Sequence, residues 1–179
     1  DALPICSEHL SYTPEDVKIA QLLLQYKIDT NVVDVPNGNT ALHYAASKSI
    51  KEVVHMLLSP AGNNDQQAYL NQLQAVKLSN NKGLTPPMLA LLHPTKQTAD
   101  VICLMVEKVP EIMLQTCSRT DVPQQAATTL LFELLRAPSE IAYEILKRIF
   151  EMDPERAKQY LAIKNALQQT LLHMVCEYK

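Results

Sequence analysis

The sequence predicts an all-α chain, a helical repeat solenoid with extra short helices between its repeats. Three observations predict it. A threonine that opens an apolar helix recurs at Thr40, Thr85, Thr129 and Thr170, in steps of 45, 44 and 41 residues. After the first three of these a second apolar run follows at helical spacing, as in Val101, Ile102, Leu104, Met105 and Val106. Only 3 Gly stand beside 11 Pro in 179 residues, too few glycines for a β-rich fold with many tight turns.

The elements follow in order. Ser7–Leu10 carries a short helical pattern. Thr13-Pro14-Glu15-Asp16 is a helix start, with a capping hydroxyl, proline at the first position and two acids in the first turn. The helix continues through Val17, Ile19, Ala20 and Leu22–Leu24, and 28–39 reads as a connecting loop. Gly38 lets the chain bend before Thr40, and Leu42, Ala45 and Ala46 share one face of the next helix. Ile50, Val53, Val54, Leu57 and Leu58 form its partner. Asn63–Ser79 reads as a third helix. Gly83-Leu84-Thr85-Pro86 reopens the cycle, followed by Ala99–Val109 and by a short helix over Pro110–Cys117. Thr129 opens the next unit, with Ile141, Ala142, Ile145, Leu146, Ile149 and Phe150 behind Pro138, and Asp153 caps a helix running to about Leu161. Gln169-Thr170-Leu171-Leu172-His173 starts the last unit. Seven positions before each threonine stand Val33, Leu78, Val122 and Ile163, the pattern expected of one buried anchor per unit.

The stretch Gly38-x-Thr40-x-Leu42-His43-x-Ala45-Ala46, followed by Val54-x-x-Leu57-Leu58, resembles the ankyrin repeat. Ala41 replaces that family's usual proline, and Ser49 falls near its inter-helix glycine. The units here exceed the family's period of about 33 residues, and periods near 40–47 also suit HEAT or armadillo repeats. The Thr-x-Leu-His opening favours ankyrin. The expected organisation is one domain over 1–179: a partial repeat at 13–36, repeats at about 37–80, 81–124 and 125–163, and a partial repeat at 164–179, read as a fragment of a longer chain. Elongated repeats of this style resemble those of secreted bacterial effectors. Gln168 and Ala127 stand where the family places glycine, which puts the standard turn in doubt at both loops. Met88 and Phe132 stand where His43 and His173 do.

Charge and composition exclude several classes. A net charge of −3 argues against nucleic-acid binding. No run of about 18 apolar residues suggests membrane insertion. The scattered Cys6, Cys103, Cys117 and Cys176 suit a reducing, cytoplasmic setting, or host cytoplasm for an effector, with Cys103 a small buried hydrophobe. No phosphate loop, nucleophile elbow or convergent titratable set is present, so neither catalysis nor a cofactor is expected. Cys6-x-x-His9 and His173-x-x-Cys176 have ligand spacing, but they sit at opposite ends of a stack in which repeats touch only their neighbours. Glu151, Asp153 and Glu155 read as a solvated helix start, and the helix around Tyr69–Leu78 as one packed on its neighbour. His55 and His93 read as surface residues.

The resemblance implies that His43 and His173 pack inward and hydrogen-bond neighbouring backbone. It also implies a protein-interaction module, or a non-catalytic scaffold within a larger enzyme or effector, and a monomer is expected. The implied contact row is Tyr44, Ser47 and Lys48; Leu89, Leu92 and His93; Glu133 and Arg136; Met174, Glu177 and Tyr178. The implied loop tips are Pro36, Asn37 and Asn39; Asn80, Asn81 and Lys82; Gln124 and Gln125; Asn165 and Gln168. Leu89 and Leu92 are also candidates for burial by the longer repeats.

Overall fold

A computed structural model describes residues 13–26, 28–59, 66–120 and 127–178. The expected helix at Ser7–Leu10, the Cys6/His9 pair, Val122, Gln124 and Gln125 lie outside the described residues, as does the Tyr178 side chain.

The Thr13 side chain accepts from the Asp16 N–H while Asp16 returns a bond to the Thr13 N–H, and this capping box opens α1 (Pro14–Gln25). Three helix pairs follow: α2 (Ala41–Ser47) with α3 (Lys51–Leu57), α5 (Pro86–Ala90) with α6 (Thr98–Lys108), and α7 (Leu130–Arg136) with α8 (Ser139–Met152). Ser49, at the α2–α3 turn, takes the left-handed conformation (φ 54°) in place of a glycine. After the first pair come α4 (Gln66–Gln74) and a 3₁₀ turn at Ala75–Lys77, within the helix expected at Asn63–Ser79. After the third comes α9 (Pro154–Ala162), where Asp153 accepts from the Arg156 N–H as the expected cap. After the second, only a 3₁₀ turn at Pro110–Met113 forms where a helix was expected to Cys117. The chain leaves it for a two-residue strand, Cys117–Ser118, paired antiparallel with Ala127–Thr128. Helix α10 (Leu171–Tyr178) ends the described chain.

The helices form two layers. In one, α2 packs on α5, α5 on α7 and α7 on α10; in the other, α1 packs on α3, α3 on α6 and α6 on α8. The core runs between them as one cluster from Leu42, Ala46 and Val54 through Met88, Ile102 and Met105 to Leu131, Leu134 and Ile145. Small residues at Ala45, Ala46 and Ala90 allow close approach, and no unit could bury its apolar face alone. Polar bonds tie the outer layer. Asp100 on α6 pairs with Lys51 on α3 and with Arg148 on α8, and its carboxyl is held below the usual range chiefly by the Arg148 hydrogen bond. Buried Ser49 Oγ meets Thr98 Oγ1 at 2.7 Å.

The proposed anchor positions behave otherwise. Val33 and Leu78 are exposed and Ile163 is half-buried, because they lie in extended connections that run over the surface.

Candidate functional site

The loops before the inner helices are built by one local device. A side-chain oxygen of Asp34, Asn80 or Asn165 accepts backbone N–H groups from its own loop: Asn37 and Asn39, Lys82 and Leu84, Leu167 and Gln169. Backbone bonds close each turn, from Asp34 N to Asn39 O, Asn80 N to Leu84 O and Asn165 N to Gln169 O, all at 2.9 Å. Gly38 (φ 67°) and Gly83 (φ 73°) supply the left-handed residue; at Gly83 a Cβ would lie 1.9 Å from the Ser118 carbonyl oxygen. Gln168 adopts φ 62° at the equivalent position. The doubt raised over that loop is therefore corrected: the Asn165 bonds form the turn without glycine. At Ala127 the strand pair stands instead.

Successive loops are laced together. Asn81 N donates to Asn37 O at 2.8 Å, Asn80 Nδ2 to Asn39 Oδ1 at 2.9 Å, and Thr120 N to Lys82 O at 3.2 Å. The tips of consecutive loops are thus tied into a hydrogen-bonded ladder.

His43 locks the first two units. The Thr40 N–H can only donate, and it donates to Nδ1 at 3.1 Å, so Nδ1 is unprotonated and Nε2–H donates to the Leu84 carbonyl at 3.1 Å. Thr40 Oγ1 lies 2.9 Å from Nδ1 and accepts from the His43 N–H. Burial pushes the imidazole's pKa down, against the opposing pull of the Leu84 carbonyl. His43 is thus a fully buried neutral strut with no access to substrate. Its role follows from the Thr-x-x-His spacing, and the other units confirm the reasoning in reverse. Where Met88 and Phe132 replace it, the buried Thr85 and Thr129 hydroxyls find no hydrogen-bond partner. His173 makes the Thr170 bond, at 2.8 Å to Oγ1, but stays exposed, contrary to the inward packing expected of it.

The expected contact residues divide. Tyr44, Lys48, Asn37, Asn81, Lys82, Leu92, His93, Arg136 and Glu177 are exposed, and Ser47 and Leu89 are half-buried. The Tyr44 hydroxyl donates to Asp34 Oδ2 at 2.5 Å, which fixes the ring with 43% of the residue exposed. Its bond is the largest cause holding the Asp34 carboxyl below its usual range. Asn39, Asn80, Glu133 and Met174 are buried, so these four are corrections. Asn39 and Asn80 bond each other across the loops. Glu133 pairs with Arg119 at 2.7 Å and with Arg136 at 2.9 Å. Met174 packs inward from α10, where its sulfur meets Asn165 Nδ2 at 3.7 Å. Sequence spacing missed these because each partner except Arg136 lies on another loop or strand.

Among the described residues, no three His, Cys, Asp or Glu side chains converge as a metal set would. His173 and Cys176 are both exposed on α10. Asp153 holds Arg156, and Glu155 pairs with Lys158, as a solvated helix start does. Burial raises the Cys103 thiol to about 11, which removes it as a nucleophile. No described helix is long and apolar enough to cross a membrane.

Stacked helix pairs joined by laced turns, with a Thr-x-x-His strut between the first two units, define a helical repeat protein. A family model of ankyrin repeats in three copies matches residues 14–116, and the chain belongs to the ankyrin-repeat family. It is similar to an ankyrin repeat and KH domain-containing protein of Caenorhabditis briggsae, 42% identical over 52 residues. That match takes in 29% of this chain and 2% of the nematode protein. Ankyrin repeats are in general protein–protein interaction modules and non-catalytic.

Proposed function

We propose that this chain binds a partner protein along the inner helices and loop tips, the concave side of such a stack. The observation that carries the reading is the side-chain row on the laced loops and adjoining helices. Tyr44, Lys48, Asn37, Asn81 and Lys82 face solvent on two adjacent units whose backbones are tied together. A preorganised tyrosine with flanking cations and amides suits protein recognition, because little ordering entropy is lost on binding. His93 extends the row along the second unit and Arg136 onto the third. Leu89 and Ser47, half-buried, act as spacers beneath it.

Affinity capture with the wild-type chain and a Tyr44→Ala/Lys82→Ala variant tests the reading. One partner should be retained by the wild type and lost from the variant, with the unfolding midpoint nearly unchanged. Equal retention by both proteins overturns it.

A further inference from the structure

We infer that the partner meets this chain through an acidic segment, whose carboxylates seat on Lys48, Lys82 and Arg136. The inference rests on the inner row proposed above and names the chemistry that row selects.

Charge is divided unequally between the two layers. Helices α2 and α5 carry no acidic residue, and α7 carries only Glu133. In the turns that lead into these helices the described acid is Asp34. Helices α6 and α8 of the outer layer, by contrast, hold Asp100, Glu107, Glu140, Glu144 and Glu151. The cations differ in the same sense. Outer-layer Lys51, Lys108 and Arg148 each pair with a carboxylate, and Lys18 and Lys147 do not. On the inner side Lys48 and Lys82 are exposed, and neither forms an ion pair among the described residues. Lys48 feels the charge of Asp16 on α1 without pairing with it.

The two inner acids are already engaged. Asp34 accepts from the Tyr44 hydroxyl and from the Asn37 and Asn39 N–H groups. Glu133 is buried and gives one oxygen to Arg119 at 2.7 Å and the other to Arg136 at 2.9 Å. Arg136 reaches it through Nη1 alone, with 46% of its side chain exposed. The Nε and Nη2 donors of Arg136 are left for a carboxylate from outside, in the fixed fork that suits bidentate contact. Glu133 acts as a positioning residue: it holds the guanidinium in place, so less side-chain freedom is lost on binding. An acidic segment laid along this row meets cations on three successive units, whereas a basic one is repelled.

Panning a phage-displayed library of random peptides against the whole chain tests this, with anisotropy titrations of synthetic copies of the retained sequences. Those sequences should be rich in Asp and Glu and poor in Lys and Arg, and their affinity should fall as salt rises. Arg136→Gln should weaken them about tenfold or more, the loss of charge-assisted bonds. It leaves Glu133 its bond to Arg119, and an unchanged unfolding midpoint checks the fold. Arg136→Lys keeps the charge without the fork and should recover only part of that loss. Lys48→Gln should cost up to about fivefold, as exposed ion pairs do. Neutral or basic peptides that the Tyr44→Ala/Lys82→Ala variant releases overturn the acidic segment and leave the row standing. Peptides whose binding none of these substitutions alters overturn both. An empty selection overturns the acidic segment, leaving the row to a folded surface.

Discussion

Thr85→Val should leave the protein as stable as before or more so, whereas Thr40→Val should weaken it. Both threonines are fully buried and both cap an inner helix in extended conformation. Thr40 Oγ1 accepts from the His43 N–H and bonds Nδ1, so its loss removes a cap and one of the two bonds to Nδ1, at a cost of about 1–2 kcal/mol. Thr85 Oγ1 has no partner. Pro86 and Pro87 bring no N–H to the first turn, and Met88 brings no ring nitrogen. Replacing that hydroxyl with an isosteric methyl relieves a buried unpaired group, a gain of up to about 1 kcal/mol. The two variants should therefore differ by about 1–3 kcal/mol. For a chain of this size, each kcal/mol moves the thermal midpoint by about 2–4 °C. Urea unfolding at equal slope is the assay. Equal losses from both substitutions would refute the claim that these threonines act through the residue three positions on.

Other outcomes follow from the same geometry. His43 is neutral in the fold with a lowered pKa, so its contribution is complete above the unfolded histidine value of about 6.5 and declines as pH falls through it. Midpoints measured between about pH 7.5 and pH 5 should fall for the wild type and flatten in His43→Gln; parallel curves would contradict the assignment. Gln168→Gly should stabilise by up to about 1 kcal/mol by relieving a left-handed glutamine, while Gly83→Ala should cost about 2 kcal/mol or more against the Ser118 carbonyl. Opposite signs in a denaturant titration check the pair. At mildly alkaline pH an alkylating reagent should modify exposed Cys176 and spare Cys103, whose thiol sits near 11; equal labelling by mass spectrometry would rule out that burial.

The sequence revealed features governed by local chemistry. Thr13-Pro14 and Asp153-Pro154 carry their own caps and start helices where expected. The Thr40 register placed the inner helices because each opens on the same hydroxyl in extended backbone. Features set by distant partners stayed hidden. Asn39 and Glu133 look like surface residues until Asn80, 41 residues away, and Arg119, 14 away, fold against them. Val33 and Leu78 look like anchors because they are aliphatic, yet they ride on exposed connections. Gln168 looks like a misfit for a turn, and it is held by Asn165, whose role at that spacing the glycine pattern obscures.

Nitrogen-15 and proton NMR of the His43 ring at neutral pH tests the stack most directly, since one bond from that ring joins two units. The structure requires a neutral ring protonated at Nε2, slow to exchange and coupled across the hydrogen bond to the Leu84 carbonyl carbon. A ring protonated at Nδ1, or a freely exchanging one, would contradict it.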